Sequence, residues 1–156
     1  MAKVYLETSF VSYLAAWPSR DLIVAGHQQI THEWWRRRRA GFDLFISQRV
    51  IDEAIAGDRE AAQRRLALLE VVPLLDLNAQ VVRLAEELVA QGAFPEVASA
   101  DAVHVAVATV HAMDFLLTWN CRHIANAQNV RTATGICRAR GFQIPCICTP
   151  EELMGE

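Results

Sequence analysis

The sequence predicts an α/β fold: a three-layer α/β/α sandwich around a mostly parallel sheet of four to five strands. Three observations predict it. Short apolar runs alternate with longer helical patterns along all 156 residues. The runs are continuously apolar, as strands covered on both faces are. The length suits one domain, residues 1–156, and such a domain buries roughly 70% of its unfolded-chain surface without staples.

Residues 3–7 (KVYLE) read as a first strand, and residues 9–16 as a short helix that ends before Pro18. Ser19 can cap a long helix running to about Arg39, stopped by Gly41. Asp43–Ile46 (DLFI) is a second strand. Ser47 caps a helix through about Ala56, with Gly57 at its end, and Asp58 caps the next. Val71–Leu75 is a third apolar run, and its Pro73 suits a sheet edge. Asn78 caps a helix whose apolar side carries Val81, Val82, Leu84, Leu88 and Val89, closed by Gly92. Residues 99–112 form a nearly all-apolar helix that should be deeply buried. Phe115–Trp119 (FLLTW) is a strong buried strand, followed by a helix over about 129–140. Ile144–Cys148 is the last strand. Thr149-Pro150-Glu151-Glu152 has the cap, proline and acids of a helix start.

Composition removes whole classes of function. The chain is 53% hydrophobic and 21% charged, which excludes a disordered protein. Fifteen basic and eighteen acidic residues give a net charge of −3, which excludes a binder relying on global positive charge. All the basic residues except Lys3 are Arg, the better residue for bidentate phosphate contacts. The cysteines Cys121, Cys137, Cys146 and Cys148 fall after residue 120 and form no C-x2-C pair. They read as reduced thiols of a cytoplasmic protein. The opening Met-Ala-Lys leads directly into a strand, so no secretory leader is expected. The longest apolar stretch, 102–113, is too short to span a bilayer.

In open parallel sheets, ligands bind at the carboxyl ends of the strands. No G-x-G-x-x-G or Walker A sequence is present, so dinucleotide and nucleoside-triphosphate sites lack their usual support. Polar residues do fall near the strand ends. Glu7 closes the first strand and precedes Thr8-Ser9. Asn120 follows Thr118 and the FLLTW strand. Asp101 opens the buried helix, either as a dipole partner or as a metal ligand. Glu53 sits on the helix after the second strand, about 100° from Asp52, so only one of that pair faces any given site. His104 lies three residues after Asp101 and reads chiefly as a buried, hydrogen-bonded core histidine.

These residues together resemble the PIN-domain family, specifically its VapC-like toxins of toxin–antitoxin pairs. The resemblance runs from VYLETSFVSYL to IPCICTPEEL. It rests on the acid-Thr-Ser at the end of the first strand, the segment 47–53, the helix opened by Asp101, and LLTWN. It implies an α/β/α sandwich and a Mg2+- or Mn2+-dependent endoribonuclease. The family's acidic set falls on Glu7, Glu53, Asp101 and Asn120, with Glu7, Glu53 and Asp101 as metal ligands. Thr8, Ser9 and Thr118 fall where hydroxyls steady the carboxylates. Two positions depart from the pattern. Glu7 is one methylene longer than the usual Asp, so it must retract or use a bridging water. Asn120 offers a carbonyl oxygen but no charge, as an outer ligand or an orienter of the attacking water. These departures leave an alternative: a weak or inactive PIN-like RNA-binding or protein-interaction module.

Arg36 and Arg37, within the run Arg36–Arg39, read either as a solvated helix C-terminus favoured by the dipole or as an RNA-backbone or partner contact, and Arg122 is a further candidate RNA contact. Residues 115–150 contain no acid and carry Arg122, Arg131, Arg138 and Arg140, a basic rim beside an acidic centre. The resemblance further implies an antitoxin docked on the early helices, with Trp17, Trp34 and Trp35 as candidates, and a homodimer. For the tryptophans, plain core packing is the competing reading.

Overall fold

Each of the first four strands is followed by at least one helix, and this alternation builds most of the molecule. The computed structural model describes residues 1–156. The strands are β1 (Ala2–Leu6), β2 (Phe42–Ser47), β3 (Leu74–Leu75), β4 (Phe115–Leu117) and β5 (Cys146–Cys148). The helices are α1 (Thr8–Ala15), α2 (Leu22–Arg37), α3 (Gln48–Ile55), α4 (Arg59–Leu69), α5 (Ala79–Ala90), α6 (Ser99–Val110) and α7 (Ala127–Ala139). All four strand pairings are parallel, in the order β3-β2-β1-β4-β5. Parallel neighbours need a crossover, and crossovers are right-handed. The chain steps one way from β1 to β3, returns across the sheet, then steps the other way from β4 to β5. Helices α1–α4 therefore cover one face and α5–α7 the other. Helix contacts follow that division: α1 packs on α2 and α4, and α5 on α6 and α7.

The central strand β1 runs Val4-Tyr5-Leu6 with no exposed surface, as do Leu116 and Leu117 beside it. The continuous apolar runs in the sequence were thus two-sided burial. Helix α6 has seven buried residues, in line with its all-apolar reading. Leu14, Phe10 and Trp34 close the core on the other face.

Several local expectations change. The cap of α2 is Asp21, whose Oδ1 accepts from Ile23 N and Val24 N at 3.0 Å, and not Ser19. Ser19 instead anchors the loop, donating its amide to Gln28 and accepting the Asp21 amide. Val82 is half exposed and lies at the margin of its helix's apolar side. Thr149–Glu152 does form the reciprocal cap, with Thr149 N donating to Glu152 Oε1 at 3.0 Å. Residues 150–153 form turns there, and not the helix expected. Asp58 and Asn78 cap as read, accepting from Ala61 N and Val81 N. Gly92, at φ +84°, ends α5 in the left-handed conformation that glycine adopts freely.

The connection from β1 leads to β2 on one side, and that from β4 leads to β5 on the other. Between the carboxyl ends of β1 and β4 the loops diverge and leave a crevice, the usual place for a ligand on such a sheet.

Candidate metal centre

Glu7 is the first residue of the crevice. Its amide still belongs to the sheet, donating to the Leu117 carbonyl at 3.1 Å. Its side chain then turns back to cap α1: Oε2 accepts from Ser9 N at 2.9 Å. Oε1 accepts from the Ser9 and Thr118 hydroxyls, each at 2.5 Å. The extra methylene is thus accommodated by retraction onto the helix end. The two hydroxyls are fixed in turn. Ser9 Oγ accepts the Trp119 amide at 2.8 Å and Thr118 Oγ1 the Asn120 amide at 2.9 Å. This network staples the first turn of α1 to the residues after β4. Glu7 is 4% exposed, yet its Oε2 keeps a lone pair beyond the one Ser9 uses.

Glu53 reaches the same place from α3. Its Oε1 accepts from Thr8 Oγ1 at 2.5 Å and from His104 Nε2 at 2.7 Å. Its Oε2 faces Arg49 Nε at 3.4 Å, an ion pair too oblique to count as a hydrogen bond, so the buried Nε has no hydrogen-bond partner. Burial alone would raise the Glu53 pKa. The hydrogen bond and charge of His104, the Thr8 hydrogen bond and the Arg49 charge outweigh it and hold the carboxyl below its ordinary value of 4.5. The sign of the pH effect follows. A depressed folded pKa gives stability that is present above the unfolded value and lost as pH falls through the folded one. In metal-free protein, the stability difference between wild type and Glu53→Gln is therefore expected to shrink on acidification below pH 4.5. Acid titration of the two melting temperatures measures it, and a pH-independent difference would contradict the assignment.

His104 has no exposed surface, so the core reading holds, and it also faces the crevice. Its Nδ1 pairs with Tyr5 Oη at 2.7 Å, and Tyr5 Oη pairs with Ser47 Oγ at 2.8 Å. Burial, first of all, raises the Tyr5 pKa and keeps the phenol protonated. Ser47 begins α3 as read but makes no side-chain cap bond, because its hydroxyl is committed to Tyr5. Sequence reasoning missed Tyr5 and Ser47. The available signals were a hydroxyl inside an apolar strand and the helical spacing of His104 from Asp101.

Asp101 occupies the first turn of α6 and is half-buried. Burial raises its pKa first. A hydrogen bond with the Asn120 side chain opposes this, the charge of Glu7 adds to it, and His104 and His123 oppose it. Asn120 Oδ1 is occupied by His123 N at 3.0 Å, and its backbone carbonyl by Ile124 and Ala125 N–H. The amide NH2 is therefore the end that can serve Asp101.

Ligand atoms of Glu7, Glu53 and His104 lie within 4.8 Å of one another. Asp101 is outside that group and coupled to it through charge and Asn120. One divalent cation bonded at about 2.0–2.2 Å brings cis ligands to roughly 3 Å apart and trans ligands to roughly 4 Å. The donor set fits such an ion with small adjustments.

The basic residues divide. Arg122 is exposed two positions after Asn120. Arg36 and Arg37 end α2, which feeds the amino end of β2, so they lie at the opposite edge of the sheet from the acids. Arg37 pairs with Glu33 and Arg39 lies 4.5 Å over the Trp35 ring. In the acid-free stretch, Arg140 pairs with Glu87 at 2.8 Å, while Arg131 and Arg138 are exposed. Among the tryptophans, Trp34 is core and Trp17 is 68% exposed.

A family model described as "PIN domain" matches residues 4–127. Among solved structures, the chain is similar in fold to one from the "Crystal structure of VapBC2 from Rickettsia felis bound to a DNA fragment from their promoter". The similarity covers 94% of this chain and 98% of that one, at 14% identity and a TM-score of 0.58. No curated protein matches the sequence at a significant level.

Proposed function

The chain belongs to the PIN-domain family, and from that premise we propose that it is a Mg2+- or Mn2+-dependent endoribonuclease of the VapC-like toxin type. The observation that carries the reading is the convergence of Glu7, Glu53 and His104, with Asp101 beside them, at the sheet's switch point. A divalent ion held there would supply an activated water and neutralise charge on the phosphoryl oxygens. The chain's own residues do the rest. Glu7 and Glu53 would hold such an ion, each carboxylate having acceptor capacity beyond its hydroxyl partners. Asp101 adds the third negative charge. Ser9, Thr8 and Thr118 keep the carboxylates from swinging away. Arg122 sits on the rim, where a phosphate backbone would approach.

Incubating the purified protein with structured RNA should give cleavage that needs added Mg2+ or Mn2+ and stops with EDTA. Cleavage that persists in EDTA would remove the metal-dependent mechanism. The second reading, a PIN-like module without catalysis, is favoured by one observation: Asn120 is uncharged where the family pattern has a fourth acid, and its Oδ1 is taken by His123 N. It predicts RNA retention without cleavage under the same conditions.

A protein partner is part of the proposal. The segment joining α1 to α2 and the first turn of α2 expose Trp17, Leu22 and Ile23, at 68%, 88% and 71% of their surface. This apolar cluster suits an antitoxin. The solved relative of similar fold is, by its title, a VapBC2 complex with promoter DNA. The expected homodimer stays part of this reading. No helix is long and apolar enough to cross a membrane.

A further inference from the structure

We infer that His104 is a direct nitrogen ligand of the metal site, which makes the site a mixed nitrogen–oxygen centre that prefers Mn2+-class transition ions to Mg2+. The inference rests on the nuclease reading and deepens it. The carry-over from the family assigns only oxygen ligands. The structure places His104 Nε2 2.7 Å from Glu53 Oε1, with its ligand atom in the same 4.8 Å group as those of Glu7 and Glu53. Asn120, where the family has a fourth acid, brings no charge, and its Oδ1 already accepts from His123 N at 3.0 Å. The imidazole thus offers a donor to a site that has one acid fewer.

The surroundings of the ring support ligation. A metal-bound histidine donates from its other nitrogen to a fixed acceptor, which sets its tautomer and orientation. Tyr5 Oη is that acceptor, and Ser47 Oγ can in turn accept from Tyr5. When no metal is bound and the ring is neutral, the ionised Glu53 can only accept, so Nε2 carries the ring proton and the hydroxyls point toward Nδ1. On ligation the ring loses the Nε2 proton to solvent, gains one on Nδ1, and both hydroxyls rotate. The ring's proton count is unchanged, and the Tyr5 hydroxyl keeps a hydrogen bond to each of its two neighbours.

Charge also balances for one ion. Glu7, Glu53 and Asp101 supply three negative charges. One divalent cation and the Arg49 guanidinium beside Glu53 supply three positive ones. Imidazole contributes affinity for transition ions without adding charge, whereas Mg2+ favours oxygen donors and retains its waters.

The test is Mn2+ binding by the full chain, followed by calorimetry and by pulsed EPR. Wild type should show nitrogen coupling to bound Mn2+ and bind Mn2+ more tightly than Mg2+. His104→Gln should lose the coupling and bind Mn2+ more than about tenfold more weakly, with a smaller change for Mg2+. Tyr5→Phe, which leaves Nδ1 without its acceptor, should keep the coupling and weaken Mn2+ binding by roughly tenfold. Absence of nitrogen coupling in wild type overturns the proposal, even if His104→Gln does not fold. Equal or tighter Mn2+ binding by folded His104→Gln also overturns it, showing that the imidazole competes with the ion for Glu53. If metal-dependent RNA cleavage persists while nitrogen coupling is absent, the nuclease reading stands and this one falls. If wild type binds neither ion, both fall.

Discussion

Asp101→Asn is expected to reduce metal-dependent RNA cleavage by roughly a thousandfold, about 4 kcal/mol of transition-state stabilisation. The substitution keeps shape and removes one of the three charges that balance a divalent ion. Its effect on folding should run the other way. The Asp101 carboxyl is raised by burial first, and the negative charge of Glu7 raises it further. Removing that charge relieves both, so metal-free Asp101→Asn should melt at or above the wild-type temperature. Loss of cleavage without loss of stability separates a working site from a damaged fold. Asn120→Asp is the companion variant. It returns the family's fourth acid, places a second carboxylate against Asp101, and should lower metal-free stability. Cleavage that appears only in Asn120→Asp supports a lapsed nuclease. Cleavage unchanged by Asp101→Asn would remove Asp101 from the site altogether.

Trp34→Ala is expected to cost about 3–5 kcal/mol of folding stability. In a chain of this size that lowers the melting temperature by roughly 10 °C. Trp34 has no exposed surface. Its ring meets Phe10 edge-on and stacks on Phe42, each at 5.6 Å between centroids. Its indole N–H donates to the Leu153 carbonyl at 3.1 Å, tying the final turn to α2. Truncation therefore opens a cavity, removes two aromatic contacts and leaves a carbonyl without its donor. Thermal melts of Trp34→Ala and the exposed Trp17→Ala make the comparison. A loss below about 1 kcal/mol at Trp34 would show that the core does not depend on it.

That contrast shows where the sequence was informative. Trp17, Trp34 and Trp35 lie on one short stretch, and composition cannot separate a core ring from a surface ring. The partner of Trp34 is Leu153, 119 residues away, and no local pattern reports such a contact. The Arg36–Arg39 run is similar. It is conspicuous in the chain, yet the order of α2 and β2 sends Arg36 and Arg37 to the edge of the sheet away from the acids. Most helix caps and strand runs were legible because they depend on neighbours within a few residues. The α2 cap slipped from Ser19 to Asp21 because both residues offer a suitable oxygen, and the loop's bond to Gln28 takes up the Ser19 backbone.

The small net charge also acquires a shape. Acids gather at the carboxyl edge of the sheet, and exposed arginines occur along the acid-free stretch. A balance of −3 is compatible with an acidic pocket beside a positive rim.

By itself the sequence determined the strand–helix alternation, the two-sided burial of the sheet and the positions of Glu7, Glu53 and Asp101 at element ends. Periodicity and capping are local, so they are written into adjacent residues. Only the tertiary structure decided which donors meet. The parallel order β2-β1-β4 sets the ends of three strands side by side, and there Glu7 folds back onto Ser9 and Thr118. The same order presents His104, from a helix more than fifty residues beyond β2, to Glu53 and Tyr5. Ligand identity at such a site depends on side-chain direction and on competing hydrogen bonds, which a chain defines only once it is folded.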